Sequence, residues 1–256
     1  MGLGEFVLNR ITFLGSGGAR IMLSTQILAT GGMVVKLDDT LFSLDPGPGA
    51  LINIFRHKIR PTTLNGIIVS HRHLDHSADI NVMIEAMTKG GLEKKGQVFA
   101  PSDALDIDPV VLKYLRSYVK QVSPIKPLSN YHINNLAFTT SMPHHHGKQE
   151  TYGFIFHGSN TTLGYIPDTA FFPELLDFYK TDVLIISMLR LEKSPVLHLC
   201  VNDVEKIINS IRPRKTILTH FGIQVFQKGP ECIAKYLAEK TNLSVTAATD
   251  GLTLEF

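Results

Sequence analysis

One heptapeptide, Ser70-His71-Arg72-His73-Leu74-Asp75-His76, constrains this chain more than any other stretch. It follows Gly66 to Val69, a short β-branched run that reads as a buried strand. It precedes Ser77 to Met87, where Ile80, Met83, Ile84 and Met87 recur at helical spacing before Gly90-Gly91 ends the helix. Ligand-type side chains are thus concentrated on a strand-to-helix turn. In extended chain, residues two apart point the same way, so His71 and His73 can converge on one metal ion while the turn brings Asp75 and His76 to a second. Imidazole with carboxylate suits zinc, and also manganese or iron, and no thiolate lies in the run. The bland alternative is a polar loop with exposed histidines, and so dense a set of ligand types on such a turn weighs against it.

Strands and helices alternate on both sides of this turn. Glu5 to Leu14 reads as an opening strand that stops at Gly15-Ser16-Gly17-Gly18, a run able to turn sharply or to approach an anion with its amides. Met33 to Leu37 and Leu41 to Leu44 flank Asp38-Asp39-Thr40 as a hairpin, and Ala50 to His57 has helical spacing. Further strands are expected at Val98 to Ala100, Leu136 to Thr140, Gly153 to His157, Thr162 to Ile166, Val183 to Ser187, Lys215 to Thr219 and Leu252 to Phe256. Helices are expected over Pro109 to Val119, Asn202 to Ser210 and Pro230 to Lys240. No linker-like boundary appears, so residues 1–256 are expected to form a single α/β (α+β) domain, two face-to-face sheets each covered outside by helices.

Composition narrows the class. Of 256 residues, 44% are hydrophobic and 19% charged, which supports an ordinary buried core and argues against disorder. A net charge of +2 excludes a wholesale nucleic-acid coat and leaves room only for local contact. Apolar runs such as Val183 to Met188 fall far short of the ~20 residues of a membrane span. The start, Met-Gly-Leu-Gly-Glu-Phe, lacks the pattern of a secretory signal, and Cys200 and Cys232 are too few for a disulfide framework, so a cytoplasmic protein is expected.

The HxHxDH run resembles the signature of the metallo-β-lactamase fold superfamily, whose four-layer αββα sandwich is similar to the element order above. The resemblance implies three further ligands. Pro143-His144-His145-His146-Gly147 offers the next histidine; His146 stands best relative to Tyr152-Gly153-Phe154, with His144 and His145 open as alternatives. Gly164-Tyr165-Ile166-Pro167-Asp168-Thr169 resembles the segment carrying a bridging aspartate, and Leu218-Thr219-His220-Phe221-Gly222 the last ligand motif. By that analogy one metal takes His71, His73, His146 and Asp168, and the other Asp75, His76, Asp168 and His220. Taken alone, Asp168 could be a helix cap and His220 a core histidine; three ordered matches after the first motif favour ligands. His57, His132 and His157 match no motif position and read as surface or packing residues.

The same analogy implies a reaction. Two divalent ions, zinc or else manganese or iron, would share a hydroxide that acts as nucleophile, with Asp75 among the catalytic residues. Asp168 stands where β-lactamases of this fold generally have cysteine, and His73 where the flavin-linked di-iron branch has glutamate. The chain also ends without the extra helical part usual in glyoxalase-type thioesterases. The Gly-rich turn after Phe13-Leu14 and the extra histidine, His198 in Val196-Leu197-His198-Leu199, resemble the ribonuclease Z and phosphodiesterase branch. There, His198 would donate a proton to the leaving oxygen or stabilise developing charge. The short stretch from Gly147 to Pro167 leaves no room for a long tRNA-gripping arm, and His220-Phe221-Gly222-Ile223 departs from the branch's His-Phe-Ser form. The implied activity is hydrolysis of phosphodiesters in small molecules, nucleotides or RNA. Lactone, carboxylic ester or thioester hydrolysis at the same site is one alternative, and a non-catalytic metal-binding module another. Many relatives pair, so a homodimer is expected by analogy; no membrane partner is.

Overall fold

The computed structural model describes residues 8–256. The start of the expected first strand, Glu5 to Val7, and the sequence read for a signal lie outside the described residues apart from the strand's remainder, β1 (Arg10–Phe13). Beyond β1 the first sheet contains β2 (Met33–Leu37), β3 (Thr40–Leu44), β4 (Gly66–Ile68), β5 (Gln97–Pro101) and β6 (Gln121–Ile125). The second contains β7 (Asn130–Ile133), β8 (Leu136–Thr140), β9 (Phe154–His157), β10 (Thr162–Ile166), β11 (Val183–Ser187), β12 (Lys215–Thr219) and β13 (Val245–Ala247). The last strand, β14 (Thr253–Glu255), returns to the first sheet beside β1, giving two seven-stranded sheets ordered β14-β1-β2-β3-β4-β5-β6 and β13-β12-β11-β10-β9-β8-β7.

Alternation along the strands builds the layers. In β11, Val183 and Ile185 face the other sheet while Leu184 and Ile186 face outward. In β5, Phe99 points inward and Val98 and Ala100 outward. The inner faces meet around Phe42, Phe138, Phe154 and Phe156. On the first sheet's outer face, Ile54 of α1 (Ala50–Arg56) and Ile80, Met83, Ile84 and Met87 of α2 (Ile80–Thr88) close a second core. On the second sheet's outer face, Val204, Ile207 and Ile208 of α3 (Val201–Ile211) and Ile233 and Leu237 of α4 (Pro230–Thr241) close a third. Each such side chain contributes about 1.5–3 kcal/mol on burial. The αββα sandwich of the metallo-β-lactamase fold results.

The hairpin forms as expected, with Leu37 opposite Thr40 and Asp38 in the left-handed region at φ 50°. Two expectations need correction, and three strands were not anticipated. The helix expected from Ser77 to Met87 begins only at Ile80, after a separate single turn at Leu74–Ser77. No α-helix spans Pro109 to Val119; a 3-10 turn at Lys113–Ser117 stands there instead. The Asn81 side chain donates to Val110 O at 2.8 Å and accepts from Leu112 N at 2.9 Å, satisfying an extended backbone that a helix would have paired internally. The strands β6, β7 and β13 carry too little apolar alternation to be read; Gln121, Pro124, Asn130 and His132 are exposed, because all three are edge strands. Among the described residues, no helix is long and apolar enough to cross a membrane.

The site lies at one end of the sandwich. Strands β3 to β6 run parallel to one another, as do β10 to β13, and the loops that leave their C-terminal ends, together with the loop after β8, which runs the same way as β10, carry the candidate residues.

Candidate metal centre

Seven side chains converge there in two groups that share Asp168: His71, His73, His146 and Asp168, and Asp75, His76, Asp168 and His220. Within each group the donor atoms all lie within 4.8 Å of one another. In the first, His71 Nε2 is 3.0 Å from His73 Nδ1, His146 Nε2 is 3.1 Å from the same atom, and Asp168 Oδ2 is 3.4 Å from His146 Nε2 and 3.9 Å from His71 Nε2. In the second, His76 Nε2 is 3.0 Å from His220 Nε2, which lies 3.3 Å from Asp75 Oδ2 and 3.2 Å from Asp168 Oδ1. Four donors around a tetrahedral ion at ~2.1 Å stand about 3.4 Å apart, so these separations fit the edges of two coordination polyhedra. The chemistry fits as well, since opposed imidazole lone pairs need a cation between them.

Outer partners fix which nitrogen faces inward. Asp45, which follows β3, accepts from Ser70 N at 2.6 Å through Oδ1, and its Oδ2 lies 2.7 Å from Ser70 Oγ, 2.9 Å from His76 Nδ1 and 2.9 Å from the Tyr165 hydroxyl. His76 Nδ1–H therefore donates to Asp45 and leaves Nε2 bare. Ser70 Oγ, donating to Asp45, can only accept from His71 Nδ1 at 3.0 Å, which bares His71 Nε2. His146 Nδ1 donates to the Leu197 carbonyl at 3.1 Å and bares its Nε2. These are the carboxylate and carbonyl partners that orient ligating histidines.

Charge follows the same plan. Burial, together with the neighbouring His76, pushes His71 well below its ordinary range, and burial lowers His73 and takes His146 down to about 4. These rings stay neutral. Burial opposes ionisation of Asp75 and Asp168, yet both are held well below the carboxylate range, Asp75 by His76 and His220 and Asp168 by His220, His198 and His76. His76 moves the other way: burial disfavours its charge, but Asp75, Asp168 and Asp45 raise it well above its ordinary value. The nest calls for positive charge at its centre, which a divalent ion supplies.

The alternatives at the third histidine separate by direction. His144 is buried with Nε2 2.8 Å from the Tyr179 hydroxyl, and His145 is exposed and stacked on Phe172 at 4.4 Å, so His146 alone of the three joins the cluster. His198 Nε2 lies 3.1 Å from Asp168 Oδ2 at the cluster's margin. His57, His132 and His157 lie exposed. The Gly-rich turn does not offer free amides. Gly15 N, Ser16 N, Gly17 N, Gly18 N and Ala19 N are taken by Gly32 O, Asp250 Oδ1, Ala29 O, Phe221 O and Asp75 Oδ2. Its role is close approach: a Cβ on Gly18 would stand 2.1 Å from the His220 ring. Sequence reasoning missed Asp45, Ser70 and Tyr165 as supports. The only available signal for Asp45 was a carboxylate ending a strand at a Pro-Gly turn, a pattern equally good for a plain turn.

Above the cluster opens a cleft of about 850 Å³, lined by His73, Asp75, His146, Asp168 and His198 and by Arg20, Arg190, Leu197 and their neighbours. Other cations are engaged elsewhere: Arg72 is held by Asp103 at 3.3 Å and Asp108 at 3.0 Å, Lys89 pairs with Glu93, and Lys215 donates to Glu255 O at 2.9 Å.

Known proteins resemble this chain in sequence and in fold. A family model described as the beta-lactamase superfamily domain matches residues 40–221. The chain is 33% identical to uncharacterized protein MJ1374 of Methanocaldococcus jannaschii, over 96% of this chain and 94% of that protein. It is 25% identical to the ribonuclease Z of Thermoplasma acidophilum, over 53% of this chain and 44% of the ribonuclease, so that match spans less than half of the enzyme. The metallo-beta-lactamase fold protein YhfI from Bacillus subtilis superposes with a TM-score of 0.81 at 19% identity, covering 97% of this chain and all of that one. A diphosphatase from the PhnP family superposes with a TM-score of 0.71 at 21% identity over 98% of each chain. The chain belongs to the beta-lactamase superfamily, as a metal-dependent hydrolase of the metallo-β-lactamase fold near its ribonuclease Z branch.

Proposed function

We propose that this chain is a dinuclear phosphodiesterase, and the observation that carries the reading is that two complete donor groups meet at one carboxylate, Asp168. His71, His73, His146 and Asp168 would hold one ion and Asp75, His76, Asp168 and His220 the other, zinc suiting the mixed nitrogen and oxygen donors. Bound there, two divalent ions supply water deprotonated near neutral pH and Lewis acidity for the oxygens under attack. Asp75 and Asp168 offset part of their charge, and the remaining excess favours an anionic phosphodiester over a neutral ester.

The chain's own groups complete the chemistry. Asp45 and Ser70 keep His71 and His76 aimed inward, so little reorganises during turnover. Asp75 accepts Ala19 N at 2.6 Å, which fixes its carboxylate beside His76. His198 stands at the open side of Asp168, where its ring can hand a proton to the departing oxygen. The ribonuclease Z and diphosphatase likenesses support phosphoryl chemistry without naming a substrate.

Metal analysis joined to a substrate panel tests the reading. The expected result is two equivalents of divalent metal and turnover of bis-p-nitrophenyl phosphate that a chelator abolishes. Turnover of lactones or thioesters without phosphodiesters would replace it with an ester hydrolase, and bound metal with no turnover at all would leave a binding module.

A further inference from the structure

The cleft wall has a composition that the metal chemistry does not require. Apart from its histidines, the basic side chains lining it are Arg20 and Arg190, and Arg190 Nε is buried without a hydrogen-bond partner among the described residues. A buried Nε–H without an acceptor costs stability, and an anionic ligand reaching the Arg190 guanidinium would offset that cost. Its backbone is anchored: Arg190 bridges Cys200 and donates to Leu199 O at 3.3 Å, closing the base of the loop that carries His198. Beside it the mouth is apolar. Ile21 is 51% exposed, Leu74 62%, Val196 44% and Leu197 42%, and all line the same cleft. Apolar side chains grouped around a polar centre mark a place where an organic group is desolvated.

We infer that Arg190 grips a phosphoryl oxygen of the substrate while the apolar lip takes one small apolar or aromatic group, so that the natural substrate is a small organic phosphodiester rather than a long RNA strand. This rests on the phosphodiesterase reading above and narrows it. A polynucleotide is held along its backbone by a row of cations and by exposed aromatic platforms. Two arginines and an aliphatic rim match a single phosphoryl group with one apolar substituent, in a cleft whose size suits a small molecule.

The test uses the metal-loaded protein with phenylphosphonate and methylphosphonate as non-hydrolysable probes, beside kinetics on bis-p-nitrophenyl phosphate. The wild type should bind phenylphosphonate about tenfold more tightly than methylphosphonate. Arg190→Gln should weaken both by about 10–100-fold and raise KM with kcat, metal content and melting temperature retained, and Arg190→Lys should recover part of the loss. The double variant Ile21→Ser, Val196→Ser should bind methylphosphonate normally and lose the preference for phenyl. Unchanged binding and KM in Arg190→Gln, metal loss in that variant, no phenyl preference in the wild type, or tighter wild-type binding of an RNA oligomer would each overturn the assignment. A wild type that cleaves no phosphodiester would instead sink the underlying reading, and this one with it.

Discussion

The two sheets build their halves of the metal nest by different means. The first sheet supplies His71, His73, Asp75 and His76 from one loop after β4, and a single carboxylate, Asp45, braces both buried rings from behind. The second sheet supplies His146, Asp168, His198 and His220 one at a time from separate loops, and its placement relies on backbone: the His146 ring donates to the Leu197 carbonyl, while His220 itself adopts the left-handed region at φ 63° with its ring beside the side-chain-free Gly18. One half is set by a side-chain network and the other by chain path. Strain of the kind stored at His220 persists only where surrounding packing enforces it.

The residue that joins the halves should give the largest effect. Asp168→Ala removes the one donor common to both groups, and metal content should fall toward zero with turnover reduced about a thousandfold or more, beyond the ~10–100-fold usual for outer-shell changes. Retention of one tightly bound equivalent, read by elemental analysis, would mean that one half suffices by itself. His198→Ala should leave metal content intact and lower kcat by about two orders of magnitude, as loss of a general acid does. An unaltered rate would reduce His198 to a neighbour of Asp168.

Two smaller changes probe the bracing on each side. Asp45→Asn keeps the volume but weakens the acceptor of His76 Nδ1 and Ser70 Oγ, so metal affinity should drop about 10–100-fold. Gly18→Ala is allowed by the extended backbone there, φ −154°, yet its Cβ would press on the His220 ring. Loss should then be confined to the second group, leaving about one equivalent bound in competition with a chromogenic chelator. Equal loss at both positions in Gly18→Ala would show that the halves are not separately supported.

That difference also decides what could be read in the sequence. The first half lies within one heptapeptide, where period-two spacing and a strand-to-helix turn are local facts. His146, Asp168 and His220 are remote from that run and from one another, and only the resemblance to family motifs singled them out; Asp168 before Thr169 looks equally like a cap. The buried strands β4 and β11 declared themselves by unbroken apolar runs, and β12 by Ile217-Leu218 flanked by β-branched threonines. The edge strands β6 and β7 did not, because a strand partnered on one side can expose Gln121 or Asn130 at no cost. Asp45 escaped notice because its partners, Ser70, His76 and Tyr165, are far away in sequence and nothing local demands them.

The smallest effect separates two histidines on one loop of the second half. His146 is aimed at the nest, whereas His144 is buried against Tyr179 and lowered to about 3, chiefly by burial. The unfolded chain takes up a proton near pH 6.5 while the folded chain keeps His144 neutral, so its contribution to stability is complete above about 6.5 and is lost as pH falls toward 3. The slope from this group is at most about 1.4 kcal/mol per pH unit in that window. Chelator-treated wild type and His144→Gln, unfolded in urea from pH 7 down to 4, should therefore converge in relative stability on the acid side, since the variant lacks a site that the unfolded chain can protonate. Parallel acid limbs would mean that His144 is already charged when folded, and that the backbone path carrying His146 is held by an ion rather than by a neutral, buried ring.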